Sequence, residues 1–199
     1  MHDEPKRADG SDQAGGEAAR GAVAEKALIT VPLAANHLTA DFRCEKSPRV
    51  QGFFDKEYLE MAPYNYTRVF VYVAPDDPNK ILGYYTLSAA SMFRRWLKNK
   101  YQKLVPGGIP APMAHVGFMG RHDETAKGLG AALIYDAALR VSRIKDIGIW
   151  GLVLDAECDE LVKKVYEPYG FTLAVNPKNP GEEIPPRLMY APINALLLN

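Results

Sequence analysis

The stretch that decides the fold runs from residue 113 to residue 144: Met113-Ala-His-Val-Gly-Phe-Met-Gly120, then Arg121-His-Asp-Glu-Thr-Ala-Lys-Gly-Leu-Gly130, then Ala131–Ile144. An apolar strand pattern leads through a glycine-rich turn into a helical pattern. Unpaired N–H groups at a helix N-terminus attract anions, and glycines at 128 and 130 let an anion approach the backbone closely. The stretch therefore predicts a site for a ligand that carries a pyrophosphate group.

Further strand patterns surround this stretch. Ile149–Leu154 predicts a buried strand, and Glu160–Phe171 predicts the helix that follows it. Thr67–Val73 and Ile81–Ser88 are rich in β-branched and aromatic residues, which predicts a hairpin. Arg187–Ile193 predicts a final strand. This alternation of strands and helices predicts an α/β sandwich with one mixed sheet.

The remaining segments divide into a tail and a domain. Residues 1–25 are rich in Gly, Ala and charge, which predicts a disordered N-terminal tail before a single domain over 26–199. Residues 28–33 resemble a short edge strand. The apolar spacing over 47–61 and over 92–105 is close to helical, which predicts one helix in each segment.

Composition excludes several classes of protein. The chain is 47% hydrophobic and 24% charged with zero formal net charge, so no global field attracts it to nucleic acid. Two distant cysteines and four single histidines predict no disulfide framework and no metal site. The sequence predicts no membrane span and no secretory signal, which favours the cytoplasm.

The motifs around the glycine-rich turn resemble those of the GNAT (Gcn5-related) N-acetyltransferase superfamily. A Walker loop is excluded because Lys127 precedes the Gly128-Leu-Gly130 pair, and a Rossmann fingerprint fits poorly. Thr125-Ala-Lys-Gly-Leu-Gly130 is similar to the family's Q/R-x-x-G-x-G/A loop, with Thr125 in place of Gln or Arg. Val165-Tyr-Glu-Pro-Tyr-Gly-Phe171 resembles the family's later aromatic motif.

Within this superfamily, the chain most resembles the GNAT toxins of bacterial toxin–antitoxin pairs. Ile81–Ser91, Val105–Pro112 and Pro186–Ile193 carry this resemblance, which covers about residues 42–193. Phe42-Arg-Cys-Glu-Lys46 keeps Phe42 and Cys44 of the toxins' F-D-C-G-N signature. The strand motif L-G-R-L-A-V-D corresponds here to His115–Arg121, in degenerate form.

The resemblance implies a fold and a cosubstrate. The fold is a central, mixed, mostly antiparallel twisted sheet flanked by helices on both faces, with splayed parallel strands at an acetyl-CoA site. Two groups of residues would bind acetyl-CoA: Gly117, Phe118 and Met119 in the strand, and Thr125, Ala126, Lys127, Gly128, Leu129 and Gly130 in the turn. Backbone N–H groups near Gly117 and Phe118 would polarise the thioester carbonyl.

Tyr166 is the residue that the resemblance marks as catalytic. A phenol with a pKa of about 10 can donate a proton to the departing coenzyme A thiolate at neutral pH. The structural alternative is that Tyr166 packs in the core beside Leu161, Val162 and Tyr169. No general base stands out from the sequence. His115, Glu45 and Asp155 are candidates, each with a structural alternative, and positioning of a neutral amine would also suffice.

Cations concentrate in residues 94–103 although the whole chain is neutral. We interpret these cations either as the solvated face of a surface helix or as a patch that binds tRNA phosphates. They are Arg94, Arg95 and Lys98, with Lys100 and Lys103.

The favoured function is a toxin that acetylates the α-amino group of aminoacyl-tRNA and blocks translation. By analogy, its partners are a DNA-binding antitoxin and a second copy in a homodimer. The alternatives are an N-acetyltransferase for a small amine, peptide or protein, and a non-catalytic GNAT-like binding module.

Overall fold

A computed structural model describes residues 28–175 and 184–198. The predicted disordered tail over residues 1–25 lies outside the described residues, and that prediction therefore stays untested. The described part of the chain contributes to one eight-stranded sheet. None of its helices is long and apolar enough to cross a membrane.

Eight strands and six α-helices make up the described structure. The strands are β1 Val31–Pro32, β2 Arg68–Val73, β3 Ile81–Met92, β4 Ala111–His115, β5 Met119–Arg121, β6 Gly151–Asp155, β7 Thr172–Leu173 and β8 Leu188–Pro192. The helices are α1 Pro48–Gln51, α2 Glu57–Met61, α3 Asn99–Gln102, α4 Leu129–Ser142, α5 Asp159–Leu161 and α6 Ile193–Leu197. A π-helical turn, Val162–Tyr166, extends α5, and 3₁₀ turns lie at Thr39–Asp41, Ala62–Tyr64, Arg94–Trp96 and Glu167–Tyr169.

The sheet has the order β1-β2-β3-β4-β6-β8-β7, and β5 pairs with β3. Strands β4 and β6 run parallel, with Met113 opposite Gly151, while every other described pair is antiparallel. The hairpin predicted from residues 67–88 is confirmed as β2 and β3, although β3 continues to Met92. The predicted mixed, mostly antiparallel sheet is confirmed.

Side chains alternate between two apolar layers, one on each face of the sheet. The layer under α4 and α6 contains Leu152 and Leu154 of β6, whereas Val153 between them faces the other side. The opposite layer is covered by α1 and α2, and its largest members are stacked aromatic rings such as Phe53 on Tyr84, with centroids 5.2 Å apart. Helices therefore cover both faces, as predicted.

Two predicted helices are wrong in extent. Residues 47–61 form α1 and α2 separated by turns, because the adjacent rings of Phe53 and Phe54 are both buried. Residues 92–105 contain the end of β3, one 3₁₀ turn and the four-residue α3. Leu97 and Lys98 are extended there, since Leu97 is fully buried and the Lys98 N–H donates to the Tyr190 hydroxyl at 2.8 Å.

The strand predicted over residues 113–120 is interrupted by a β-bulge at residues 116–118. Ser88 of β3 pairs with His115, whereas Tyr85 pairs with Met119, so two residues of β3 lie opposite three residues of the interrupted strand. A bulge bends a strand and increases its twist. After the bulge, the chain pairs with β3 as β5 and separates from β6, which produces the predicted splay between parallel strands.

A buried polar cluster connects α4 to the segment before β1. The carboxylate of Asp136 accepts hydrogen bonds from the Thr30 hydroxyl at 2.5 Å and the Tyr85 hydroxyl at 2.7 Å. The Arg140 guanidinium donates to the Thr30 carbonyl at 2.7 Å and lies over the Phe70 ring. The sequence analysis did not predict this cluster, which fixes α4 against the sheet.

Candidate active site

A cavity of about 200 Å³ lies where β5 and β6 diverge. It is lined by Arg49, Val50, Val116, Gly117, Phe118, Met119, Leu154, Asp155, Ala156, Glu157, Leu161, Tyr166 and Arg187. The structure thus brings the predicted residues of the bulge together with Tyr166. Two arginines and two carboxylates border this mostly apolar space.

The backbone of the bulge is held by β3. The Thr86 hydroxyl accepts the Phe118 N–H at 2.9 Å, and the Thr86 N–H donates to the Phe118 carbonyl at 2.9 Å. The Phe118 N–H is therefore already engaged, which argues against its predicted role of polarising a bound carbonyl. The same role for the Gly117 N–H stays a prediction.

The predicted anion site lies at the N-terminus of α4. Gly128 is the N-cap, with a φ of 104° that disfavours any other residue, and it has no side chain to cap the helix. A Cβ atom built on Gly130 would meet nothing within 4 Å. Lys127 is exposed beside this turn. The turn offers backbone donors, open space and one cation, which fits a phosphate group.

Thr125 contributes to the turn differently from a Gln or Arg. Its hydroxyl donates to the His122 carbonyl at 2.6 Å, so the side chain faces into the loop. The Arg121 guanidinium donates to the Thr125 carbonyl at 2.8 Å and so supports the loop at the end of β5. Thr125, Ala126, Lys127 and Leu129 line a second cavity of about 580 Å³. Strand β5 therefore connects the bulge to the predicted phosphate turn.

Tyr166 ends the π-helical turn and extends into the cavity. Such turns often occur at functional sites because they change the direction of a side chain. Burial, and next the charge of Glu157, raises the pKa of the Tyr166 phenol to about 12. The ring also packs edge-on against Phe171, with centroids 5.8 Å apart. The phenol is therefore protonated at neutral pH and lies at the cavity wall.

The three candidate bases occupy different positions. Asp155 lines the cavity, whereas Glu45 is exposed and its N–H donates to Asp123 at 2.9 Å, outside the cavity lining. His115 is half-buried just before the bulge, and burial lowers its pKa. The sequence analysis missed Glu157, which lines the cavity two residues after Asp155. In an extended chain, side chains two residues apart point to the same face, so the spacing of Glu157 from Asp155 could have indicated that both line the site.

The predicted tRNA-binding residues form a separate exposed surface. Arg94, Arg95 and Lys98 lie between β3 and β4, at the end of β4 that is remote from the cavity. Six residues separate Ala111 from Gly117, which corresponds to about 20 Å along a strand. Arg95 lies over the Phe93 ring at 4.2 Å. The structure therefore does not bring these cations into the cavity.

Comparison with known proteins gave both sequence and structural relatives. No family model matches the chain. The chain is 30% identical to the probable toxin TacT of Sinorhizobium fredii (strain NBRC 101917 / NGR234). The matched region has 131 residues and covers 62% of this chain and 72% of that protein.

Solved structures have the same fold at lower identity. A tyrosine-to-phenylalanine mutant of KacT is 23% identical with a TM-score of 0.66, covering 81% of this chain and 91% of KacT. AtaT complexed with acetyl-methionyl-tRNAfMet is 21% identical with a TM-score of 0.70, covering 85% and 96%. AtaTR bound with acetyl-CoA is 20% identical with a TM-score of 0.65, covering 85% and 95%.

The splayed strands, the cavity between them and the uncapped glycine turn are arranged as in the GNAT fold of these solved structures. The sequence match to the probable toxin TacT identifies the family within this fold. The chain belongs to the GNAT toxins of toxin–antitoxin systems.

Proposed function

We propose that the protein transfers the acetyl group of acetyl-CoA to the α-amino group of an aminoacyl-tRNA and thereby blocks translation. The observation that carries this proposal is the position of Tyr166 in the same cavity as the bulge at Gly117. There, the phenol can protonate the coenzyme A thiolate while the bulge orients the thioester. AtaT, a structural relative, forms a complex with acetyl-methionyl-tRNAfMet.

Two surfaces would serve the two substrates. Gly128 and Gly130 at the start of α4 would bind the pyrophosphate of acetyl-CoA through backbone N–H groups. The exposed cations at Arg94, Arg95 and Lys98, in the connection that leads to β4, would bind tRNA phosphates. The start of β4 lies about 20 Å along the strand from Gly117 in the cavity. That separation suits a substrate whose reactive end is extended away from its duplex.

An acetyl-transfer assay tests this proposal. Labelled acetyl-CoA and purified protein are incubated with bulk aminoacylated tRNA, with uncharged tRNA, and with a mixture of free amino acids and peptides. Label on charged tRNA alone is the expected result, and alkaline release of the acetylated amino acid would identify it. Label only on free amines or peptides would overturn the proposed acceptor.

We expect Gly130→Val to weaken acetyl-CoA binding at least tenfold, or about 1.4 kcal/mol. The space around this position is open in the protein, so the valine would occupy the approach of the phosphate without disturbing the fold. Calorimetric titration measures the effect. Ala132→Val, an exposed change two residues further along α4, is the control and should bind normally. Equal affinities for both variants would contradict the assigned phosphate site.

We expect reversal of two cations, Arg94→Glu with Lys98→Glu, to raise the KM for charged tRNA about tenfold or more. The dependence of log affinity on log salt should also become less steep by about 0.7 to 0.9 for each lost phosphate contact. Lys56→Glu with Lys145→Glu is the charge-matched control, since both lysines are exposed and remote in sequence. An unchanged salt dependence in the first variant would exclude this surface.

The proposal also includes a partner and a location. AtaT has been solved bound to the C-terminus of the antitoxin AtaR, and KacTA with DNA. We infer a cognate DNA-binding antitoxin for this chain as well. The acetyltransferase itself would act in the cytoplasm, because aminoacyl-tRNA and acetyl-CoA are both present there.

A further inference from the structure

The carboxylate of Glu157, which lines the cavity, is fixed in place by hydrogen bonds. The Ser47 hydroxyl donates to both of its oxygens, at 2.9 and 3.2 Å. Ser47 itself is buried and caps α1 by accepting the Val50 N–H. A buried hydroxyl at the start of α1 therefore holds a carboxylate that follows β6 and lines the cavity.

The two carboxylates of the cavity act on different neighbours. The charge of Asp155 acts on His115, on the β4 side of the bulge. Glu157 and Tyr166 both line the same cavity, and the charge of Glu157 adds to the effect of burial in raising the pKa of the Tyr166 phenol. A fixed carboxylate beside a protonated phenol supplies one proton acceptor and one proton donor for a single transfer.

We propose that the Glu157 carboxylate binds the α-ammonium group of the acceptor and removes one of its protons, a role that rests on the proposed aminoacyl-tRNA acetylation. The freed amine then attacks the thioester carbonyl, which forms the C–N bond. The C–S bond breaks as the thiolate takes the proton of Tyr166. The second amine proton returns to the phenolate, so the products are the amide, the thiol and one proton carried by Glu157 to solvent.

Other charged or titratable groups also line this cavity. They are Arg49 from α1, Asp155 from the end of β6, Arg187 from the segment before β8 and Tyr166 from the π-helical turn. The thiol of Cys44, before α1, lies outside the cavity lining, and its pKa is raised mainly by burial. Arg187 is oriented by its hydrogen bond to the Ala156 carbonyl at 2.8 Å. Arg187 also pairs with Asp159 at 3.6 Å, and Arg49 lies over the Phe118 ring. The cavity lining carries two arginines and two carboxylates, so a cationic amine can bind at Glu157 in a cavity whose lining has no net negative charge.

Glu157→Gln tests this role because it removes the charge and keeps an oxygen that can accept from Ser47. We expect acetylation of charged tRNA at pH 7 to fall about 10²- to 10⁴-fold in kcat/KM. The deficit should shrink as pH rises through the pKa of the acceptor amine, because an amine that is already neutral needs no base. Affinity for acetyl-CoA should stay unchanged.

Glu160→Gln is the matched control, since Glu160 is exposed, pairs with Lys164 at 2.8 Å and lies outside the cavity lining. Wild-type activity of Glu157→Gln, or a deficit that is constant across pH, would overturn the role of Glu157. Absence of transfer to charged tRNA by the wild-type protein would instead overturn the proposed function. The two failures are thus distinguishable in one set of assays.

Discussion

Tyr166→Phe is expected to lower the rate of acetyl transfer by about 10²- to 10⁴-fold, the usual contribution of a general acid. Phenylalanine keeps the ring that packs on Phe171 and loses the hydroxyl that lies in the cavity. Acetyl-CoA affinity should therefore stay at the wild-type value. Single-turnover kinetics and calorimetry measure the two quantities separately.

The pH dependence of the wild-type rate gives a second measure of this residue. The pKa of the phenol is raised to about 12, and its acid form therefore persists throughout the ordinary alkaline range. We expect no loss of rate attributable to Tyr166 at or below about pH 10. Tyr169→Phe, an exposed tyrosine three residues further on, is the matched control. Full turnover of the Tyr166 variant would return this residue to a packing role.

Gly151→Ala is expected to lower the free energy of unfolding by about 3 kcal/mol, at the upper end for an overpacked core. The added methyl group would lie 2.5 Å from the Ala191 carbonyl oxygen and 3.0 Å from the Met113 side chain. Strand β6 is paired on both sides at this residue, opposite Met113 and Pro192. The backbone therefore cannot move aside without breaking the sheet beside the cavity.

Urea unfolding of the two glycine variants measures this effect. Gly148→Ala, three residues earlier, is the matched control because a methyl group there meets nothing within 4 Å. It should be neutral or slightly stabilising, since alanine restricts the unfolded chain. Equal midpoints for Gly148→Ala and Gly151→Ala would show that β6 tolerates displacement.

Local patterns in the sequence predicted the parts of the fold that local physics determines. Apolar runs predicted β2, β3, β6 and β8, and the glycine-rich turn predicted the start of α4 within two residues. They failed where a distant partner decides the backbone. The helical spacing over 92–105 is overridden because Leu97 enters the core and Lys98 bonds to Tyr190, almost a hundred residues away.

The same distinction applies to the site. The phosphate turn and Tyr166 belong to continuous motifs and were predicted from them. Glu157 was not, because its position depends on Ser47 at the start of α1, 110 residues away in sequence. The engagement of the Phe118 N–H by Thr86 likewise depends on pairing with β3. The positions of residues within a motif were thus more predictable than contacts between distant segments, while the roles of those residues stay predictions.

Because of the extra residue at 116–118, the residues that face α4 change from even-numbered to odd-numbered along the interrupted strand. Ala114 and Val116 face the α4 layer, yet Phe118, which shares their even spacing, faces the α1 layer, and Met119 now packs toward α4. Even-numbered residues therefore face α4 before the bulge, and odd-numbered residues face α4 after it. Removing one residue would restore a regular strand in which Met119 still lies opposite Tyr85 and Phe118 still faces the α1 layer, but the bulged backbone at Gly117 that lines the cavity would be lost. The chain length between β4 and β5, and not side-chain chemistry alone, decides which residues form the cavity.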